Sequence, residues 1–332
     1  MQKGILLLII FILNTLVSAQ QVKIKFATLA PDGSTWMNVM KDFSEDLLKA
    51  TDGQVKFKIY PGGVQGDERD VIRKIRINQL HSAGFTGVGL GEILPEVRIL
   101  DAPFLFRNHD EVDYISNKFF DRFAQKFEQK GYVLLGWAEV GFVYIYSNKP
   151  ARTVPDFKGV KMWMWEGDPL AEATFRAYDI SPIPLSITDV MTSLQTGLID
   201  GVYTAPLACV ALQWFTKLNY ALDVPLANSN GAVLISKRMF AKLSATQQQI
   251  LKEKAKTYFD KLTQMSRQDN KTSTQKMIEN GMQLSQVNDP AQIEEFYEVG
   301  RQARRALVGK LYDADLLDSV ESALAEFRTK GK

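Results

Sequence analysis

Residues 22–60 read VKIKFATLAPDGSTWMNVMKDFSEDLLKATDGQVKFKIY. Apolar residues alternate with lysine over Val22–Ala27 and again over Val55–Tyr60, the period of a half-buried strand. Turn residues follow each run, Pro31-Asp32-Gly33 after the first and Pro61-Gly62-Gly63 after the second. Between them Ser34 can cap a helix on which Trp36, Met40, Phe43 and Leu47 fall along one stripe. Strand, helix and strand in that order predict α/β layers with parallel strands.

The same punctuation continues along the chain. Strands are predicted at Tyr132–Trp137 and 142–147, and a helix at 187–196 that opens at Ser186, has Asp189 in the capping position and stops at Gly197. A much longer helix is predicted from Ser244, where Gln247 completes a capping box, to Gly281, with no proline or glycine between. At 1.5 Å per residue it extends roughly 50 Å, enough to tie two lobes together. Its apolar positions Ile250, Leu251, Tyr258, Phe259, Leu262 and Met265 read as core contacts, because they lack the sustained heptad of a coiled coil. No internal repeat points to a solenoid.

Composition narrows the class. The chain has 332 residues, 45% hydrophobic and 23% charged, with a formal net charge of +2, which suits about two globular domains and gives no electrostatic basis for binding nucleic acid or an anionic membrane. At the N-terminus Lys3 precedes the apolar run 5–13 and then Val17-Ser18-Ala19, so residues 1–19 read as a signal peptide. That run is far shorter than the ~18 residues of a membrane span. The expected product is an exported periplasmic protein starting near Gln20, without membrane insertion. The single cysteine, Cys209, lies too deep in the chain to carry a lipid next to the signal and excludes both an intramolecular disulfide and a multi-cysteine metal site.

Catalytic patterns are absent from the sequence: no G-x-S-x-G elbow, H-E-x-x-H, P-loop or C-x-x-C occurs. His81 and His109 are not spaced with a second metal ligand. The glycines at 84, 87, 89 and 91 miss the dinucleotide spacing and read as a flexible or closely packed turn, and Asp67, Glu68 and Asp70 as the acidic first turn of a helix. No enzyme, cofactor or metal is expected. Aromatics carry more information, since Trp36, Phe85, Trp137, Tyr144, Trp163, Trp165, Tyr203 and Trp214 gather at the ends of elements. If 161–165 is a strand, Trp163 and Trp165 share a face beside the turn 166–169 and form an apolar wall with N–H donors at its rim. Strand ends are where α/β folds hold ligands.

Over nearly the whole mature chain the sequence resembles the extracytoplasmic solute receptors of TRAP transporters, the DctP family. KIKFATLAPDGSTW, FKIYPGGVQGDERDVIRKI, LDAPFLFRN, KGYVLLGW, PDFKGVKMW, SPIPLSITDVMTSLQTGLIDG and LSATQQQIL stand in family order, and the blocks 155–162 and 182–201 are the most specific. The resemblance implies an α/β, two-lobed periplasmic-binding-protein fold with a ligand cleft between the lobes, a long helix spanning both, and delivery of cargo to TRAP permease membrane subunits. It divides the mature chain into a first lobe of 20–141 plus about 228–267 and a second of about 142–227 plus about 268–332. Two departures stand out. The family arginine that clamps a ligand carboxylate falls on Trp163, and a second family arginine falls on Val143. The family's D-G-Q-E-N-P reads Asp200-Gly201-Val202-Tyr203-Thr204-Ala205-Pro206, with one residue more and no asparagine.

An indole cannot supply the charge or the planar fork of a guanidinium. The expected ligand is therefore a substantially apolar or aromatic small molecule, lined by Trp163, Trp165, Val143, Tyr203 and Phe85, with Trp137, Trp214 and Glu68 beside them. A cation held on an indole face near Glu68 or Glu166 is a smaller alternative. Others are a hydrophobe carrier working without a permease, an organic acid held by different basic residues, and a hydrolase.

Overall fold

A computed structural model describes residues 21–330; the signal peptide expected at 1–19 lies outside the described residues. Twelve strands are assigned among these: β1 (Val22–Ala27), β2 (Val55–Tyr60), β3 (Ser82–Phe85), β4 (Tyr132–Trp137), β5 (Gly141–Ser147), β6 (Trp163–Trp165), β7 (Ile183–Leu185), β8 (Gly201–Thr204), β9 (Tyr220–Leu222), β10 (Ala227–Ser229), β11 (Ala232–Ser236) and β12 (Gln283–Ser285). The opening unit forms as its periodicity dictates. Helix Thr35–Ala50 is capped by the Ser34 side chain and buries Met37, Met40, Phe43 and Leu47, while β1 and β2 pair in parallel from Val22–Val55 to Ala27–Tyr60.

Two sheets build two lobes. The first has the order β2-β1-β3-β11-β4, and the second β10-β5-β9-β12 with β8 also along β5. The expectation of parallel strands needs correcting: β11 is antiparallel to both β3 and β4. Its first residue, Ala232, lies opposite Phe85 at the end of β3, so the chain re-enters the first lobe at the cleft end of the parallel strands and has to run against them. In the second lobe, β6 and β7 pair in parallel, and a bridge from Met162 to Gly201 ties them to β8.

The chain leaves the first lobe after β4 and returns before β11, and the two crossings are bonded together by Ala138 N–H to Gly231 O (2.7 Å) and Val140 N–H to Ser229 O (3.0 Å). The long helix spans Ala245–Glu279, 35 residues, with the Ser244–Gln247 capping box in place. Leu251, Ala255, Phe259 and Leu262 pack in the first-lobe core, and Met277 packs in the second. Met265, expected as a core contact, is instead exposed where the helix passes between the two cores. There Arg267 is buried and pairs with Asp113 and Glu139, and Asn270 donates to Val140 O at the crossing and accepts from Leu207 N–H of the second lobe. The C-terminal helix Ala314–Lys330 lies in the first-lobe core, where Leu316, Leu317, Val320 and Leu324 join Val112 and Ile115. The apolar stripe of this last helix packs against helix His109–Lys118.

Candidate functional site

The cleft between the lobes holds a cavity of about 120 Å³ walled by Val143, Trp163, Trp165, Tyr203 and Trp214. A second chamber, also about 120 Å³, is walled by Leu29, Trp36, Glu68, Phe85 and Leu207. Thr86, Val140, Ile187, Ala208 and Leu212 line both, so the two adjoin. Seven of the eight expected residues thus come together at the cleft. Trp137 does not: its indole donates to Ser116 O (3.1 Å) and packs edge-on against Phe120 and Phe123. It ends β4, the outer strand of its sheet, and lines a separate groove of about 1260 Å³ on the flank of the first lobe.

Trp163 is the centre of the aromatic wall. It stacks on Tyr203 at 5.1 Å and 24°, meets Trp214 edge-on at 5.3 Å and 75°, and lies 6.0 Å from Trp165 at 36°. The two indoles share a strand face as their spacing requires. Their N–H groups, however, are not free rim donors. Trp163 Nε1 donates to Leu185 O (3.1 Å) on the paired strand β7, and Trp165 Nε1 donates across the cleft to Asp67 Oδ2 (3.1 Å). Asp67 caps helix Glu68–Arg76 of the first lobe, and it also accepts from Ser186 Oγ (2.7 Å). Ser186 therefore does not cap the helix expected at 187–196; residues Ile187–Asp189 form a tight 3₁₀ turn before Val190–Thr196, which ends as expected at Gly197 in the left-handed conformation.

Glu68 is fully enclosed and accepts from Thr86 N–H (2.6 Å), Thr86 Oγ1 (2.9 Å) and Gly89 N–H (2.7 Å). It braces the start of the glycine-rich helix Gly87–Ile93 rather than presenting a free carboxylate. Burial, with a smaller push from Asp67, raises its pKa to about 8 against the three donors. The glycine run is closely packed, as one of its two readings had it: a Cβ on Gly89 would meet Glu68, and one on Gly87 would meet Asp101.

An ion triad lies at the cavity's edge. Arg98 Nε donates to Asp101 Oδ2 (2.9 Å), and its two terminal nitrogens fork onto Asp168 at 2.9 and 3.1 Å. Arg98 and Asp101 come from the first lobe, and Asp168 caps helix Pro169–Ala177 of the second. Burial works against the Arg98 charge, and the carboxylates of Asp168 and Asp101 more than offset it, holding its pKa above the usual guanidinium range. Burial raises Asp101 to about 6, with Arg98 opposing. Arg98 is the only Lys, Arg or His lining either chamber among the described residues. Its one trace in the sequence is a charge inside the apolar run Val97, Ile99, Leu100. Asp168 and Asn228, also at the cavity, carry no such mark.

A cleft between two lobes, crossed by paired connections and braced by one shared helix, defines a two-lobed solute-binding receptor. The chain belongs to the bacterial extracellular solute-binding proteins of family 7, the DctP family, whose profile matches residues 26–309. It is 30% identical to a solute-binding protein of Verminephrobacter eiseniae over 62% of each chain. It is 26% identical to the 2,3-diketo-L-gulonate-binding periplasmic protein of Escherichia coli over 85% of this chain and 86% of that one. A TRAP periplasmic solute-binding protein from Pseudomonas putida F1, solved with bound D-glucuronate, is 25% identical with a TM-score of 0.83, covering 90% and 96% of the two chains. One from Desulfovibrio salexigens with bound orotic acid has a TM-score of 0.86 at 19% identity, covering 92% and 99%. The two-lobed α/β fold with a spanning helix is thus shown, and members of the family are receptors, not enzymes. No helix among the described residues is long and apolar enough to cross a membrane.

Proposed function

We propose that this protein is the periplasmic receptor of a TRAP-type transporter and that it captures a substantially apolar or aromatic small molecule by cleft closure, for delivery to the permease. One observation carries the reading: Arg98, the one Lys, Arg or His lining the two chambers among the described residues, is held between Asp101 and Asp168, while the positions of the family's clamping arginines are Trp163 and Val143. Two carboxylates against one guanidinium leave the cavity edge with an excess of negative charge, which opposes an anionic ligand. The walls favour stacking. Removing ~200 Å² of apolar ligand surface from water at about 25 cal/mol/Å² contributes ~5 kcal/mol before association costs. Useful affinity then requires a cleft that closes cheaply.

The competing reading is an organic acid, in line with the D-glucuronate of the Pseudomonas putida relative. It is favoured by the two Arg98 N–H groups not engaged by Asp101 or Asp168. Mass spectrometry of a solvent extract from the purified mature protein separates the two. A recurring apolar or aromatic compound supports the proposal, and a stoichiometric small carboxylate overturns it. Trp163→Arg should abolish binding of the recovered compound, and unchanged affinity would remove Trp163 from the site.

A further inference from the structure

Asn228 sits in the middle of β10, 1% exposed, among the residues that line the aromatic cavity. Both polar atoms of its amide, Oδ1 and Nδ2, are fully buried and have no hydrogen-bond partner among the described residues. A buried polar group without a partner costs about 1–3 kcal/mol, so natural folds retain one mainly where something else completes it.

The other buried polar side chains around this cavity are occupied. Arg98, Asp101 and Asp168 bond to one another, Asp101 also accepts from Asn230 N–H, and Asp168 accepts from Leu170 N–H. Thr174 Oγ1 donates to Leu170 O, and the Trp163 and Trp165 N–H groups are engaged by Leu185 O and Asp67. Apart from the two unengaged N–H groups of Arg98, what remains is a neutral amide offering one acceptor and two donor hydrogens side by side. A ligand group that answers it offers a donor and an acceptor in return and carries no charge, which would otherwise need a counter-ion that the amide lacks.

We propose that Asn228 is a specificity-determining residue that reads the polar end of the ligand, and that the ligand class is an uncharged ring compound bearing a carboxamide or lactam. This rests on the reading of the cavity as the site for an apolar or aromatic solute. The ring lies against the wall of Trp163, Trp165 and Tyr203, and the amide pairs with Asn228. The cavity's 120 Å³ is near the roughly 150 Å³ that admits benzene in an apolar core, so a single ring is the right scale.

The test uses ligand-stripped mature protein and three probes of one size, benzamide, benzoate and benzylammonium, followed by quenching of tryptophan fluorescence and by calorimetry. Wild type should bind benzamide at least about tenfold more tightly than benzoate, and Asn228→Leu should lose about tenfold in benzamide affinity, a difference of about 1.4 kcal/mol. Asn228→Asp should shift the preference toward benzylammonium, and it decides the matter if Asn228→Leu fails to fold. Unchanged benzamide affinity in a folded variant, or no benzamide binding by wild type at millimolar concentration, overturns the role of Asn228. If Trp163→Arg still abolishes benzamide binding while the Asn228 variants do not alter it, the aromatic cavity stands and only this assignment falls. Tightest binding of benzoate, lost in Arg98→Met, would overturn the apolar reading itself.

Discussion

The guanidinium of Arg98, anchored in the first lobe, forks onto the carboxylate of Asp168 in the second at 2.9 and 3.1 Å. Both side chains are almost entirely shielded from water. The pair therefore does between the lobes what a ligand carboxylate and a clamping arginine would do across the cleft: it joins the two walls with charge-assisted bonds. Truncating one partner leaves the other buried and uncompensated. Arg98→Met should destabilise the protein by ~3–5 kcal/mol in denaturant titration, and stability within a few tenths of wild type would mean that water reaches the pair after all.

Trp165 and Asp67 form another bond across the cleft. Trp165→Phe keeps an aromatic ring in the wall and deletes only the N–H that reaches the first-lobe carboxylate. The expected cost is ~1.5–3 kcal/mol, the range for a hydrogen bond to a charged group. Denaturation of Trp165→Phe alone and together with Asp67→Asn gives the coupling, and additive effects would show that the bond contributes little.

Glu68 makes stability depend on pH. Its folded pKa of about 8 lies above the ordinary glutamate value of 4.5, so the contribution of the protonated carboxyl is complete below about pH 4.5 and is lost as pH rises through about 8. Relative to Glu68→Gln, wild type should become less stable across that window, at up to about 1.4 kcal/mol per pH unit. Parallel stability curves for the two proteins would place Glu68 as an ionised acceptor throughout.

Gly87 has no room for a side chain because Asp101 occupies the space where a Cβ would stand. Asp101 cannot turn aside freely, since it accepts from both Arg98 and Asn230. Gly87→Ala should cost ~1–3 kcal/mol, as for other overpacked interiors. If the clash is the cause, Gly87→Ala should cost less in thermal denaturation when introduced into an Asp101→Ala background than into wild type.

Elements were legible where local periodicity and caps agree. β1, β2 and β4 lie at their expected bounds, and Ser244 opens the long helix with its capping box. Ser186 misled because the cap signature does not register a competing acceptor, and Asp67 lies 119 residues away. Trp137 misled for a related reason: its place at a strand end says nothing about which side of the sheet it turns toward. The doubled tryptophans did mark the wall, since residues two apart on a strand share a face wherever that strand packs.

The sequence by itself determined the α/β elements and the long helix, because these follow from spacing and capping, while the two lobes and the reading of Trp163 and Val143 against the family's arginines were what its resemblance implied. Only the tertiary structure decided that Arg98 is neutralised in the cleft, that the indole N–H groups are engaged, and that the Asn228 amide is left without a partner. The pairings of Arg98 with Asp168 and of Trp165 with Asp67 join residues 70 and 98 positions apart. Such pairings are set by how two separately built lobes meet, and no local pattern along the chain encodes that.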